Sequence, residues 1–549
     1  MAGDEERVSK KRLIKVMLQP KTLRIFIWLL IVIAHFALAV VFISDRSPDT
    51  DAALTGFPLD DAWIHMVYGR SIANHGLPYY NKGELEAGFT SSIWMFIVAL
   101  AELLARLFNA SPVVVLKTLG ILIAATGSVL LFEICYVLIG NIWISLAGAL
   151  LLALDPVIGF SQISGMEVCL AAAFLLGAIL MQVRDRFFAA GLLSSAAYLT
   201  RPETIVILPI LFFTFMFQAK SLRLSRQKIL NLAHLIVPTL VAMILWGSYC
   251  FIVNGHPLPN TFYVKFYHHD ILEGIARTFG TIVLSLSALS LHAGKVLYLI
   301  GAIALAIRIR TRIIPVLILP YVFLVAVGAT RYMPPGSGAY FYWLRYTVPA
   351  LPFLFIPIAA GLYSFWNSPS WFQKRASRNV SPSLRVTVKI LTIVLLIMCF
   401  LGYPKQLIFR KHQFAWNCQN INEVQVTAGL WIKQNLAIDQ GVMTTDAGAI
   451  LYFGNRRTID LLGLNNSKVL FDDQIRYNIL KDPEILATLA SKYHTPYLLT
   501  FPPSFPYLMQ HPDFQKHFTI VRNFRSKFYT VSPGEYLSTM SVFKLKNPP

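Results

Sequence analysis

The sequence predicts a polytopic α-helical membrane protein that ends in a C-terminal α/β domain. The chain of 549 residues is 56% hydrophobic and only 14% charged, whereas about a quarter of the residues in soluble proteins are charged. Long apolar runs recur between Ile25 and Phe400, and several exceed the roughly 18 residues that a transmembrane helix needs. After about residue 404 the composition becomes that of an ordinary globular domain.

The distribution of basic residues predicts the orientation of the chain. The formal net charge is +20, but the basic residues lie mostly in short loops between apolar segments, as cytosolic loops do. This pattern argues against nucleic-acid binding. It places the N-terminus in the cytosol, and the first outer loop (45–90) and the C-terminal part outside. The basic clusters lie at 10–21, 184–186, 220–228, 308–312 and 374–385.

The apolar segments predict about eleven crossings and three regions of the chain. With both ends of the region 91–160 on the outer side, one of its three apolar segments must re-enter or pack without crossing. The regions are a basic cytosolic N-terminus (1–23), a transmembrane module (24–403) and an extracytoplasmic domain (404–549). The apolar segments are 24–44, 91–108, 113–139, 142–160, 167–183, 187–200, 203–218, 229–253, 281–306, 314–329, 346–365 and 386–403.

The C-terminal part has the patterns of a small α/β domain. Residues 422–435 predict a helix with Leu430 on its apolar face, and residues 497–501 and 540–546 predict strands between turns. Glycines between residues 444 and 466 indicate tight turns. Cys418 is the only cysteine of this part, so an internal disulfide is not expected, and the chain has no Cys/His spacing typical of a metal site.

The first outer loop carries adjacent acids, Asp60 and Asp61, ahead of an amphipathic pattern that predicts a helix in the membrane interface. An aspartate before a helix often serves as its N-cap. One aspartate suffices for that, so the pair leaves one carboxylate unexplained. A carboxylate at the membrane surface can act as a general base towards a hydroxyl group.

Cations cluster on the predicted outer side, against the usual charge bias. The interfacial aromatic belt explains the tyrosines of the loops 254–280 and 330–346, but not these cations. An anionic ligand, such as the phosphate of a lipid-phosphate sugar, would explain them. Since phosphate leaves with little protonation, one base and a cationic clamp would suffice for glycosyl transfer. The predicted clamp residues are Arg201, His256, Lys265, Arg331 and Arg345.

Other polar residues near these segments are predicted to bind substrate. Several have a structural alternative: Glu167 could end a helix, and Asp446 could hold a turn. A divalent cation could bind Asp60, Asp61 and Glu167, because hard cations favour carboxylates, although no spacing requires one. The predicted substrate-binding residues are Glu167, Glu203, Asn260, Tyr263, Tyr346 and Asp446.

The chain resembles polyprenyl-phosphate-dependent glycosyltransferases of the GT-C fold, and within them the bacterial arabinofuranosyltransferase-like branch. The resemblance covers most of the chain and rests on six segments in order. These are DDAWIHMVYGRSIANHGLPYYNKGELEAGFTSSIW (60–94), SGMEV (164–168), TRPE (200–203), GHPLPNTFYVK (255–265), YWLRY (342–346) and DAGAILYFGNRRTIDLLGL (446–464).

The resemblance implies an inverting transfer of a sugar from a polyprenyl phosphate to a cell-envelope glycan or lipid at the bacterial inner membrane. It places the catalytic base on Asp60 or Asp61. Departures at Trp63–His65 and Gly88–Thr90 bear on the sugar pocket, so arabinofuranose is one candidate among sugars. The alternatives are a non-catalytic assembly or polysaccharide-binding protein, and a transporter of a lipid-linked substrate.

Overall fold

A computed structural model gives the three-dimensional structure of the protein. It describes residues 21–45, 49–218, 225–266, 270–288, 292–308, 314–331, 340–367, 382–531 and 538–546. Most of these residues are helical, and a small sheet lies near the C-terminus. The polytopic α-helical architecture with a C-terminal sheet domain is therefore confirmed in outline.

The helices before the sheet vary widely in length. Those up to residue 254 are α1 (Lys21–Ile43), α2 (Asp60–His75), α3 (Ser92–Leu107), α4 (Pro112–Ile139), α5 (Ile142–Ala153), α6 (Pro156–Gln162), α7 (Val168–Val183), α8 (Phe187–Thr200), α9 (Ile207–Gln218) and α10 (Arg226–Asn254). Those that follow are α11 (Asn260–Lys265), α12 (Ile271–Ala288), α13 (His292–Arg308), α14 (Ile314–Thr330), α15 (Phe341–Leu344), α16 (Pro352–Trp366), α17 (Pro382–Phe400), α18 (Tyr403–Ile421) and α19 (Thr427–Asn435).

Five helical stretches of the described chain are long and apolar enough to cross a bilayer. In α17, Ile390, Ile393 and Ile397 are at least half exposed, as expected of side chains that face lipid rather than protein. Shorter apolar helices, such as α7 and α8, accompany them, and the count of about eleven crossings stays a prediction. The five stretches are Lys21–Ile43, Pro112–Ile139, Arg226–Asn254, Val348–Trp366 and Pro382–Asn435.

One apolar region differs in detail from a single straight helix. In the region 91–160, α5 and α6 meet at a bend of 61°, so the third apolar segment is either a broken span or a re-entrant one. The single span predicted over 281–306 stays a prediction, because α12 is described up to Ala288 and α13 from His292, and residues 289–291 lie outside the described residues.

The sheet domain contains a five-stranded mixed sheet in the order β2-β1-β3-β5-β4. Strand β1 pairs in parallel with β2 and β3, whereas β5 runs antiparallel to β3 and β4. The strands are β1 (Val442–Thr444), β2 (Thr458–Asp460), β3 (Tyr497–Thr500), β4 (Phe518–Arg525) and β5 (Thr539–Leu545). The helices between them are α20 (Ala449–Gly454), α21 (Ser467–Leu470), α22 (Asp473–Asn478), α23 (Pro483–Lys492), α24 (Pro506–Met509) and α25 (Phe514–His517).

Both faces of the sheet are covered, as the two-residue period of a strand requires. Leu498 packs in one apolar cluster with Leu486 of α23, and the next residue, Leu499, packs in another with Ile432 of α19. The helix predicted over 422–435 is confirmed, but the placement of Leu430 on its buried face is wrong, since this side chain is 42% exposed. The helix begins with a π-helical turn at Asn422–Val426, which holds more residues per turn than an α-helix. The residues that follow are therefore rotated around the helix axis relative to a regular α-helix.

Helix α2 joins the two halves of the molecule. It packs against α3 and against α20 of the sheet domain, and most of its side chains up to Ser71 are buried. The predicted helix after the acid pair is therefore confirmed, but it is covered by protein along most of its length. The apolar cluster that contains Trp63 also contains Ala447 and Leu451, so the spans and the start of the sheet domain share one core.

Candidate active site

Asp60 and Asp61 face different parts of the protein, because successive helical residues project about 100° apart. The N-cap of α2 is Leu59, so neither aspartate serves as the cap. The Asp60 carboxylate accepts hydrogen bonds from the backbone N–H groups of Gly448 at 2.7 Å and Ala449 at 2.8 Å. Asp60 therefore docks the first outer loop onto the sheet domain.

The close approach at Gly448 depends on its missing side chain. A Cβ atom there would lie 2.3 Å from the Asp60 carbonyl oxygen and 2.8 Å from a carboxylate oxygen, closer than such atoms approach one another. Burial first, and then the neighbouring Asp446 carboxylate, raises the pKa of Asp60 well above its usual range. Asp60 therefore holds a proton more readily than an exposed aspartate does.

Asp61 is held by two cations. Its carboxylate lies 2.7 Å from a guanidinium nitrogen of Arg345 and 3.5 Å from the ammonium nitrogen of Lys265. Burial alone would raise the pKa of Asp61, but the charges of Arg345 and Lys265 outweigh it and lower the pKa well below the usual range. Adjacent carboxyl groups thus have opposite pKa shifts, a pattern that separates their chemical roles.

A cleft of about 580 Å³, including the space at its mouth, lies in front of Asp61. It gathers most of the predicted site residues. Those lining it are Asp61, Glu167, Arg201, Glu203, Lys265, Arg331, Arg345 and Tyr346. The loops predicted to lie on one side of the membrane therefore converge on one site, although they are far apart in sequence.

Carboxylates balance only part of the positive charge in this cleft. The Arg201 guanidinium is 6% exposed and donates to Glu167 at 2.5 Å and to Glu203 at 2.9 Å. The guanidinium of Arg345 is 2% exposed, and its described acidic partner is Asp61. Arg331 lies at the rim, 5.6 Å from the centre of the Tyr346 ring.

The pKa of the Tyr346 phenol is lowered by the positive charges of the cleft. Burial alone would raise the pKa of its phenol, but Arg345, Lys265 and Arg331 lower it to about 7. The phenol oxygen accepts a hydrogen bond from Arg345 at 3.3 Å. A site that stabilises a phenolate to this degree is suited to bind an anion such as phosphate.

Several buried polar atoms of the cleft have no hydrogen-bond partner among the described residues. They include His65 Nδ1, Glu167 Oε2 and Thr261 Oγ1. The first two face each other at 4.0 Å, too far for a direct hydrogen bond but suited to a shared hydroxyl group. Since buried polar groups are normally paired, these atoms are suited to hold hydroxyl groups of a ligand.

Other predicted site residues lie outside the cleft, and their roles stay predictions. His256 stacks on Phe471 of the sheet domain at 3.8 Å between ring centres, and Tyr263 packs edge-on against the same ring at 5.3 Å. Asp446 accepts a hydrogen bond from Gln425 at 2.6 Å. The contacts of His256 and Tyr263, like those of Asp60, hold the sheet domain to the transmembrane module, whereas the bond between Gln425 and Asp446 lies within the sheet domain.

The residues proposed for a divalent cation do not converge. Asp60 faces Gly448, Asp61 faces Arg345 and Lys265, and Glu167 faces Arg201. Among the described residues, no group of three or more His, Cys, Asp or Glu side chains is arranged to hold a metal ion. This arrangement does not fit a three-carboxylate metal site.

Residues missed by the sequence reasoning include His65, Thr261 and Glu86. His65 follows Asp61 by four residues on a predicted helix, so the helical period could have placed both on one face. Thr261 and Glu86 carry no such signal, because their positions depend on contacts with distant segments.

Glu86 lies beside the cleft and forms hydrogen bonds with two other segments of the chain. Its carboxylate accepts hydrogen bonds from the Ser467 backbone at 3.1 Å, from the Ser467 hydroxyl at 3.1 Å and from the Asn260 side chain at 3.2 Å. It thereby connects the first outer loop, the start of α11 and the sheet domain. Despite these donors, burial raises the pKa of Glu86 to about 7.

We expect Glu86 to make stability depend on pH. The Glu86 carboxyl binds a proton more tightly in the folded protein than in the unfolded chain. Its contribution to the stability of the fold is therefore complete below about pH 4.5 and is lost as the pH rises through about 7. Thermal unfolding between pH 5 and 8 should show a steeper fall in Tm for the wild type than for Glu86→Gln. Glu484→Gln, at an exposed position of α23, is the matched control and should retain the wild-type slope; equal slopes in all three proteins would contradict the expectation.

Solved structures share this fold. The archaeal oligosaccharyltransferase AglB from Archaeoglobus fulgidus, in complex with an inhibitory peptide and a dolichol-phosphate, aligns at a TM-score of 0.55 and 11% identity, over 90% of this chain and 73% of that chain. ArnT from Cupriavidus metallidurans bound to undecaprenyl phosphate aligns at a TM-score of 0.54 and 12% identity, over 96% of this chain and 99% of that chain. The chain thus has the GT-C fold of these membrane proteins.

Sequence comparison is less informative. Residues 419–543 match a family described as a domain of unknown function, DUF8728, which covers most of the sheet domain. No curated protein matches the chain in sequence. The assignment to the arabinofuranosyltransferase-like branch stays a prediction.

Proposed function

We propose that the protein is an integral-membrane glycosyltransferase that moves a sugar from a polyprenyl-phosphate donor to an extracytoplasmic glycan or lipid. The observation that carries this proposal is the buried carboxylate of Asp61, held by Arg345 and Lys265 at the wall of a cationic cleft. The GT-C fold supports it, since the solved neighbours include proteins in complex with dolichol-phosphate and undecaprenyl phosphate.

In the proposed reaction the donor phosphate binds the cations of the cleft. Arg345 and Lys265, with Arg201 and Arg331 nearby, stabilise its charge as the bond from the sugar carbon to the phosphate oxygen breaks. The electron pair of that bond leaves with the polyprenyl phosphate. The acceptor oxygen forms the new bond to the sugar carbon from the opposite side, so the configuration inverts.

Asp61 takes the proton of the acceptor hydroxyl in this scheme. Without donor, its two cations keep the carboxylate ionised and weakly basic. A bound phosphate competes for the same cations, and this raises the pKa of Asp61 towards the range in which a carboxylate is an effective base. Donor binding would therefore activate the base.

The unpartnered atoms of His65, Glu167 and Thr261 are suited to bind hydroxyl groups of the donor sugar, which could be arabinofuranose or another sugar. We place the protein in a bacterial inner membrane, with about eleven crossings and with the cleft and sheet domain on the outer side.

Transfer by the purified protein from a panel of radiolabelled polyprenyl-phosphate sugars to a membrane-envelope extract tests this proposal. We expect transfer from at least one donor, with release of free polyprenyl phosphate. Absence of turnover with every donor, together with normal envelope composition in cells that carry only Asp61→Asn, would favour the assembly or binding role instead.

A further inference from the structure

A second concave surface lies beside the cleft, between the first outer loop and the sheet domain. It encloses about 1260 Å³, including its open side. One wall is the C-terminal half of α2 with the hairpin that follows it, and the other is formed by residues around α20. We call this surface the basic groove; its charged members are Arg70, His75, Lys82, Glu84, Arg456 and Arg457.

The charge of the basic groove favours an anionic ligand. Four side chains of arginine or lysine and one histidine line it, against a single acid, Glu84, whose carboxylate is already paired with Arg457 at 2.6 Å. Lys82 is exposed and has no hydrogen-bond or ionic partner among the described residues. Arg70 uses one of its donors on the Tyr452 carbonyl, at 2.7 Å.

The groove is also suited to a hydroxylated chain rather than to an ion alone. Tyr79 is partly exposed and lines the groove together with the exposed amide side chain of Asn74, which accepts a hydrogen bond from Arg106. An open groove lined by an aromatic ring, planar polar groups and cations can contact both the hydroxyl groups and the charges of a long polar molecule.

Helix α2 links the basic groove to the cleft. Asp61 lines the cleft and Val67 lines the groove, and six residues of helix span about 9 Å. Six residues also turn the helix by about 600°, so Asp61 and Val67 project about 120° apart, and the groove and the cleft open on different sides of α2. Hydrogen bonds from the Gly448 and Ala449 backbone to Asp60, and from Arg70 to the Tyr452 carbonyl, fix α2 against the sheet domain and hold the two sites at a set separation.

We propose that the basic groove binds the acceptor, and that the acceptor is an anionic, hydroxylated glycan. The inference rests on the proposed function, since it assigns the groove to the acceptor of that reaction. The negative charge could come from carboxylates, as in a uronic-acid glycan, or from phosphodiesters, as in a glycerol-phosphate polymer. Both share the chemistry that Lys82 and Arg70 would recognise.

Calorimetric titration of the full-length protein in lipid nanodiscs tests the groove. The probes are a galacturonic-acid heptamer, a glycerol-phosphate heptamer and neutral maltoheptaose. We expect at least one anionic probe to bind more tightly than maltoheptaose, with an affinity that falls as salt is added. Lys82→Glu should weaken that binding by roughly fivefold or more, because a charge near the ligand is reversed. The probe that binds more tightly identifies the source of the charge.

The matched control is Lys481→Glu, another exposed lysine of the outer part of the protein that does not line the groove. It makes the same change in net charge and should leave the affinity unchanged. Equal binding of the neutral and anionic probes, no binding of either anion, or an equal loss in the two variants would overturn the proposal.

Titration with undecaprenyl phosphate separates this result from the proposed function. If the lipid phosphate binds and neither anionic oligomer does, the groove assignment fails while the donor cleft stands. If the oligomers bind with the expected dependence on Lys82 and the lipid phosphate does not, the proposed donor site is wrong.

Discussion

Asp61→Asn is expected to lose transfer by roughly 10²–10⁴-fold, the range that a positioned general base contributes. The amide keeps the size of the side chain but cannot accept the proton of the acceptor hydroxyl. The loss should appear in kcat, since the cations that bind the donor phosphate remain. Initial rates with the donor found in the panel, measured at several acceptor concentrations, give this separation.

The variant also leaves Arg345 buried without its acidic partner, which lowers stability. Contacts with the Tyr346 hydroxyl at 3.3 Å and with the Tyr342 ring at 4.5 Å remain. A lower Tm with an unchanged elution volume would show a folded protein. Asp61→Glu keeps the charge and should recover part of the rate, whereas full activity of folded Asp61→Asn would remove Asp61 as the base.

Asp60→Asn is the matched control, because it makes the same substitution one residue earlier. Asp60 contacts Gly448 and Ala449 and does not line the cleft. We expect a lower Tm and less than about a tenfold change in kcat, consistent with a residue that positions α2 but does not touch the substrate. A loss equal to that of Asp61→Asn would assign the base to Asp60 or to the pair as a unit.

The difference between these aspartates shows where sequence reasoning reached its limit. The pair could be found because two adjacent acids exceed what one helix cap needs. Their separation into a docking residue and a cleft residue depends on Gly448 and Arg345, which are more than 280 residues away in the chain. No local pattern encodes contacts over such distances.

Hydropathy alone predicted the long apolar helices of the transmembrane module, but not how they bend or pack. Long apolar helices such as α1, α4 and α10 follow from their composition. The bend between α5 and α6 depends on packing against other helices. In the cleft, the clustering of Arg201, Lys265 and Arg345 followed from placing their loops on one side, whereas His65 and Thr261 needed the structure.

Arg345→Gln is expected to change both donor binding and the pH dependence of the reaction. Removing a buried charge that contacts phosphate costs about 2–5 kcal/mol, so binding of undecaprenyl phosphate should weaken by at least roughly 30-fold. Calorimetric titration of the protein in nanodiscs measures this. Thermal unfolding is measured in parallel, because the variant also leaves Asp61 with Lys265 as its remaining cation.

The sign of the pH effect follows from the forces on Asp61. Burial raises its pKa and Arg345 is the strongest group that lowers it, so in Arg345→Gln the pKa must rise. Activity that needs the ionised carboxylate should then fall as the pH drops through this higher value, and the acid limb of the kcat/KM profile should move to higher pH than in the wild type.

Arg331→Gln distinguishes this effect from a general loss of positive charge. Arg331 lines the same cleft but makes no ion pair with Asp61, so its removal should weaken lipid-phosphate binding and leave the acid limb where it is. An acid limb that moves equally in both variants would mean that the field of the whole cleft, rather than the contact with Arg345, controls the base. An acid limb that moves in neither would mean that a group other than Asp61 accepts the proton.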